Sequence, residues 1–473
     1  MFRIRTFLLW ASVVAAHTYL FYKNSTGINA LIFSILIVAV ITWYHGMQKE
    51  RFWWLAVTGH LIISVGTALH GSWNDVAAYN ISFLLLAGFV FSAKSSLPVA
   101  FINGVIGSFF IGFLTTLLKG SKVILQRPGN SGKSFFRLKN IPLYVAPVCV
   151  TVVFYLLYGI SNPDFIPNIE LMDIGINMEL IAYCVFGAIL TCPLFFSWGI
   201  DFITAWELKQ PDILHRMRVK RQSGTPLGLF YEHKQAVIMF VMLNVLLVIF
   251  LLFNVVQLFI PTLNHSAAHL SDEVHRGFET LVISLIVAIL LIMYYFRANQ
   301  NFYFRNKQLI KVASFWIILN ALLILLTCYK NGMYVHSFGL TYKRIWVFMG
   351  MLLTGIGLYL TWVKIYRLKT NWFLIRKNTW VLYFAIACYG LIDWDRLITH
   401  YNLNYTNNLD MKYILSLDKT KLPYLNELLD AQDPRVMPYE KEIREETSRF
   451  KGVTSWQEKT WTNSWMEKEL AIK

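Results

Sequence analysis

Apolar runs of roughly 17 to 24 residues recur about a dozen times along this chain, separated by short polar links. Each run is long enough to cross a hydrocarbon core of ~30 Å as a helix rising ~1.5 Å per residue, whereas a buried helix of a water-soluble domain is usually shorter. Lipid is therefore the expected solvent. Composition agrees, since hydrophobic residues make up 56% of the 473 and charged residues only 15%, with a mean hydropathy of +0.48. A soluble domain would show ~45 to 50% apolar and ~25% charged residues. The expected fold class is all-α, a polytopic transmembrane helical bundle of about 11–12 spans with a small soluble helical C-terminal tail.

The expected spans are Thr6–Tyr22, Ile28–Tyr44, Trp53–Leu69, Val76–Phe91, Leu97–Leu118, Ile141–Leu157, Met178–Ile200, Ala236–Ile260, Leu281–Phe296, Val312–Tyr329, Trp346–Tyr366 and Trp380–Ile392. Lys and Arg in short links resist translocation, so their distribution sets orientation. Residues 119–140 carry six cations and no acid, 161–177 carry none, 201–235 carry six, and 261–280 carry only Arg276. Four more lie in 297–311 and five in 364–378. This alternation predicts cytoplasmic basic links and a tail on the outer face. Arg3, Arg5, Lys49 and Arg51 favour a cytoplasmic N-terminus, but twelve full crossings ending outside require an external one. Either Leu97–Leu118, interrupted by Gly104, Gly107 and Gly112, is re-entrant or interfacial, or all twelve cross and the N-terminus lies outside.

The expected organisation is an N-terminal transmembrane region over 1–118, a main transmembrane bundle over 119–403 and a soluble helical tail over 404–473. In the tail eleven cations nearly cancel twelve acids, so the formal charge of +16 resides in the rest of the chain. Those cations flank spans, which points to anionic lipid headgroups rather than nucleic acid. Leu415, Leu417, Leu422, Leu425, Leu428 and Leu429 suggest short amphipathic helices. Trp456, Trp461 and Trp465 either rest at headgroup level or pack the tail together.

Chemistry is less legible. All five cysteines fall in apolar runs without a CxxC pair, so neither a disulfide framework nor a thiolate metal site is expected. His265, His269 and Glu273 share a face only if one helix continues through Ser271-Asp272-Glu273, which instead has the composition of a helix start. No metal and no cofactor are expected. Gly132-Lys133-Ser134 lacks the first glycine of a phosphate-binding loop, since Arg127 stands there. GxSxG and HExxH are absent from the sequence.

The external ends of the later spans carry a coincidence of polar residues: His275, Arg276 and Glu279; Tyr342 and Arg344; Asp393 and Asp395. Ionisable groups at that depth need partners. They are expected to act either as a polar clasp between helices or as a headgroup-binding site, with Arg344 held by Glu279 or Asp395. On the inner face, Arg297, Asn301 and Asn306 are expected to anchor the helix end at the interface.

From His275-Arg276-Gly277 through Phe296-Arg297 and Asn301 to Gly339-Leu340-Thr341-Tyr342-Lys343-Arg344-Ile345 and Asp395 to Tyr401-Asn402, the chain resembles a family of bacterial polytopic membrane proteins, common in Bacteroidota and catalogued only as a domain of unknown function. The resemblance covers the C-terminal half well and the first 120 residues poorly. It implies a bacterial inner-membrane protein, in which the outer face expected for the tail from the basic links is the periplasm, and it implies no reaction. The expected function is non-enzymatic, as an accessory or regulatory subunit that binds a lipid or a membrane or periplasmic protein partner. The rivals are a transporter of a small molecule or lipid and a membrane-embedded hydrolase or transferase using His275 and Glu279.

Overall fold

A computed structural model describes residues 4–107, 178–197, 199–216, 228–259, 283–406, 409–450 and 452–470. The expected span Ile141–Leu157, the second half of Leu97–Leu118, the three histidines of 265–275, and Arg276 and Glu279 lie outside these residues. Among the described residues the elements are helical, apart from one isolated bridge between Ile213 and Lys369. The chain divides into two compact units, Met1–Glu207 with Val453–Trp461 and Leu208–Gly452 with Thr462–Lys473.

The first unit holds α1 (Ile4–Phe21), α2 (Ile28–His45), α3 (Arg51–Leu69), α4 (Trp73–Phe91), α5 (Leu97–Val105), α6 (Met178–Phe196) and α7 (Asp201–Leu208). Polar side chains tie these apolar helices together, as expected where no water competes for them. Trp10 Nε1 on α1 donates to Thr191 Oγ1 on α6 at 3.1 Å, and Trp53 Nε1 on α3 donates to Thr42 Oγ1 on α2 at 3.0 Å. Ser72 starts α4 with a capping box in which its hydroxyl and the Asp75 carboxylate bond each other's backbone N–H. On α4 and α5, Gly88 and Gly104 allow backbone contact, because a methyl at either position would collide with the Ala100 or the Leu84 carbonyl. Gly104 is thus a packing point within a nine-residue helix. The segment 453–461 also belongs to this unit: the Ile28 and Asn29 N–H groups at the start of α2 donate to Lys459 O and Gln457 O, each at 3.0 Å.

The second unit contains α8 (Leu229–Phe259), α9 (Ile283–Tyr295), α10 (Asn306–Phe338), α11 (Tyr342–Tyr366), α12 (Asn371–Tyr389) and α13 (Trp394–Tyr405). Four shorter helices follow, α14 (Met411–Leu415), α15 (Leu422–Asp430), α16 (Glu440–Arg449) and α17 (Trp461–Glu469), the last beginning at the unit boundary. Phe240, Ile292, Phe296, Leu309, Trp316, Val347 and Leu358 belong to one core joining α8, α9, α10 and α11. A second, smaller core of Ile414, Leu425, Leu429, Val436 and Ile443 holds the tail helices together.

Seven described helices are long and apolar enough to cross a membrane: α2, α3, α4, α6, α8, α10 and α11. The expected all-α membrane bundle is present, with α9 as a shorter apolar helix. Several elements outrun their expected spans. α10 has 33 residues, about 50 Å at ~1.5 Å per residue, so it exceeds a ~30 Å hydrocarbon core by several turns.

Candidate functional site

The end of α10, the start of α11 and α13 meet in a buried polar knot. Gly339 ends α10 with φ +82, in the left-handed region where a side chain would be strained, and a Cβ there would also strike Asn402 Oδ1 at 2.5 Å. Asn402, buried on α13, replaces the missing helical partners: its Oδ1 accepts from Leu340 N at 2.6 Å and its Nδ2 donates to Leu340 O at 2.9 Å. Thr341 then caps α11 by accepting from Arg344 N at 3.4 Å.

Arg344 is 7% exposed. Its Nη1 donates to Phe338 O at 2.8 Å and to Gly339 O, the terminal carbonyls of α10, and its guanidinium carbon sits 4.0 Å from the centre of the Tyr334 ring. Those carbonyls form the negative end of the helix dipole. The expected partner differs here: Asp395 accepts instead from Tyr342 Oη at 2.6 Å, and Glu279 lies outside the described residues. Local geometry explains this, because a chain reversal at Gly339, five residues before Arg344, aims the helix end at it. Arg344 Nε and Asn331 Oδ1, the latter on the side chain whose Nδ2 donates to Arg344 O at 3.1 Å, have no partner among the described residues.

The Tyr342–Asp395 bond is a second link between the start of α11 and α13. The Tyr342 N–H donates to Tyr413 Oη at 3.0 Å, which brings in α14. Burial holds the Asp395 carboxyl above the usual carboxylate range, reinforced by Asp418 and Asp393 and opposed by the Tyr342 hydroxyl and an Asp418 backbone bond. Burial likewise pushes the Tyr413 phenol up. Asp393 caps α13, accepting from Arg396 N at 3.0 Å and from Thr420 Oγ1 at 3.4 Å. Tyr342, Arg344, Asp393 and Asp395 are therefore brought to one end of the second unit.

One cation of this knot was not singled out in the sequence. Lys421 is 2% exposed, yet its ammonium donates to Leu417 O at 2.7 Å and to Leu415 O, and lies 3.1 Å from Glu446 Oε1. Arg396 donates to Tyr424 Oη at 3.1 Å and stacks 4.0 Å over Trp465. Of the three tail tryptophans, Trp465 packs the tail, while Trp456 and Trp461 are exposed. No local pattern marks Lys421 or Asn402, because their partners are backbone carbonyls and amides several residues or a whole helix away.

At the other end of α10, the expected anchors play different parts. Arg297 is exposed, 4.0 Å over the Tyr294 ring and 3.4 Å from Glu232 Oε1. Asn301 and Asn306 are buried, and Asn306 Nδ2 donates to Asn301 O at 2.8 Å, closing the turn between α9 and α10. Lys364, counted in the sequence as a link cation, is buried and donates to Phe296 O at 2.7 Å. Mid-span polar residues also serve packing: Asn103 donates to Thr204 Oγ1 at 2.9 Å and accepts from Ile200 N at 2.8 Å, while Asn244 donates to Val312 O at 3.0 Å. Among the described residues no group of three His, Cys, Asp or Glu side chains is placed to hold a metal ion.

This is a polytopic, all-α membrane protein. The chain matches the family described as Domain of unknown function (DUF4153) over residues 9–428, and it belongs to that family. Among curated proteins and among solved structures, none matches this chain.

Proposed function

We propose that this protein is a non-enzymatic accessory or regulatory subunit of a bacterial inner membrane. It binds an anionic lipid headgroup or the acidic group of a partner protein at the clasp, where a small helical domain is fastened to the ends of the spans. The observation that carries this reading is Arg344, a buried cation with carbonyl partners, a free Nε, and no carboxylate paired with it among the described residues. A buried cation without a counter-charge is unfavourable unless an anion completes it. The hydrogen bonds of Asn103, whose side-chain nitrogen and oxygen are both engaged, count against the transporter reading, which needs such polar groups free for cargo.

Its tail faces the periplasm and its N-terminus the cytoplasm, a reading supported by the alternation of basic links. Support comes from the pairing of Ile28 and Asn29 with Lys459 and Gln457, which sets the start of α2 on the same side as the tail. Between those two points the chain must cross an even number of times. The expected spans from Ile28–Tyr44 to Trp380–Ile392 number eleven, and ten if Leu97–Leu118 returns to its starting side, so parity favours the re-entrant reading.

The test is native mass spectrometry and pull-down on the full-length protein. Wild type should retain an acidic lipid or a protein partner that Arg344→Ala loses and Arg344→Lys partly keeps. Equal recovery from wild type and a folded Arg344→Ala would refute the proposal. External labelling of a cysteine introduced at Arg216 but not of one at Trp461 would invert the orientation.

A further inference from the structure

Exposed tryptophans stand at both ends of the first unit's helices. Trp43, near the end of α2, and Trp54, at the start of α3, are exposed at one end, and Trp73, Trp456 and Trp461 at the other. Along α2 the exposed positions between these ends are Ile28, Ile32, Ile35 and Ala39, and Trp43 continues the same stripe at helical spacing. From Ile28 to Trp43 the helix rises about 22 Å at ~1.5 Å per residue. The two groups therefore flank an aliphatic band that fits within a ~30 Å hydrocarbon core.

The second group is assembled from parts of the chain far apart in sequence. Residues 457–460 lie across two turns, the one between α1 and α2 and the one between α3 and α4. Ser25 N and Oγ both donate to Glu458 Oε2 at 3.1 Å, and a Cβ on Gly27 would strike Glu458 O at 2.6 Å. A Cβ on Gly71 would meet Thr26 O at 2.8 Å and Thr460 Cγ2 at 3.1 Å. Trp461 follows Thr460 directly and Trp73 stands two residues after Gly71, so both sit where these segments touch. They are 68% and 83% exposed, and the indoles of Trp73, Trp456 and Trp461 have no hydrogen bond among the described residues. Lys23 and Lys459 are exposed beside them.

An indole offers a large apolar ring and one N–H donor, which suits it to the layer where hydrocarbon gives way to carbonyl and phosphate oxygens. We infer that residues 456–461 form a membrane-surface anchor, in which Trp456, Trp461 and Trp73 are seated in the headgroup and glycerol layer of a phospholipid leaflet. Lys23 and Lys459 stand at the depth of its phosphates. The chain that enters this segment from α16 and leaves it into α17 is thereby held at the bilayer surface. The anchor rests on the membrane reading above, but neither on which leaflet it occupies nor on any ligand at Arg344.

Full-length protein in phosphatidylcholine vesicles, brominated either near the glycerol end or near the middle of the acyl chain, tests this by quenching of tryptophan fluorescence. The emission lost on Trp461→Phe should be quenched about two-fold more by the shallow bromines than by the deep ones, as befits a ring at headgroup level. The emission lost on Trp73→Phe and, at the opposite end of α2, on Trp43→Phe should show the same preference. Shallow quenching at 43 with none at 461, or deep quenching at 461 as strong as shallow, would overturn the anchor while leaving the span in place. No quenching at either position would overturn the membrane placement with it. A photo-crosslinking residue at position 461 should give lipid adducts in native membranes; adducts to a protein segment instead would mark a protein docking surface and overturn the inference.

Discussion

Replacing Arg344 by alanine removes two charge-assisted hydrogen bonds, to Phe338 O and Gly339 O, and a cation–π contact at 4.0 Å from the Tyr334 ring centre. Each hydrogen bond to a charged group contributes ~1.5–3 kcal/mol, and the ring contact ~0.5–2 kcal/mol. Against this stands the release of a desolvated cation, which recovers several kcal/mol. Because the two carbonyls are then left orphaned, the net loss should be about 3 kcal/mol. Arg344→Met fills the volume without the charge and should cost about half as much. Unfolding in mixed micelles, titrated with a denaturing detergent and followed by tryptophan fluorescence, gives the stability of each variant. Proteolysis of residues 409–450 reports whether the tail has come loose. If Arg344→Ala unfolds within about 0.5 kcal/mol of wild type and its tail stays protected, the guanidinium does not hold this end of the bundle.

Further outcomes follow from the same geometry. Asp395 has a folded-state value raised by burial, so the folded protein holds its proton more tightly than the unfolded chain. The stabilisation is present below the ordinary carboxylate value and is lost as pH rises through the raised one. Asp395→Asn should flatten that decline in a pH series of melts, and an unchanged slope would show that the carboxyl is not its source. Lys421→Ala should destabilise the tail by about 3 kcal/mol, because Glu446 and two carbonyls lose a buried cation; a tail resisting protease as wild type does would contradict this. Gly104→Val should separate α5 from α4, since even a methyl collides with the Leu84 carbonyl. Crosslinking between cysteines on those helices should fall several-fold, and undiminished crosslinking would place the close approach elsewhere.

Much of the bundle is legible in the amino-acid order because lipid imposes a local rule: every backbone amide must be satisfied within its own helix, so long uninterrupted apolar runs are required. Ile28–Tyr44, Trp53–Leu69 and Trp346–Tyr366 follow that rule and became α2, α3 and α11. Asp393 was read at the end of the last span, and it caps the start of the helix that follows, α13. The grouping of Tyr342, Arg344 and Asp395 at one end follows from alternating direction alone.

What only the tertiary structure decided is which group bonds which. Arg344 takes the carbonyls of α10 and Asp395 takes the Tyr342 hydroxyl, a choice made by where a glycine-centred reversal points the helix end. Lys364 was counted as a link cation and Lys421 only among the cations of the tail, and both are buried on carbonyls. Residues 457 and 459 return to the start of α2, more than 400 positions away along the chain. Hydrophobicity acts along a segment and can be read from its order, whereas hydrogen bonds between distant segments depend on separations and angles that exist only once the helices have packed.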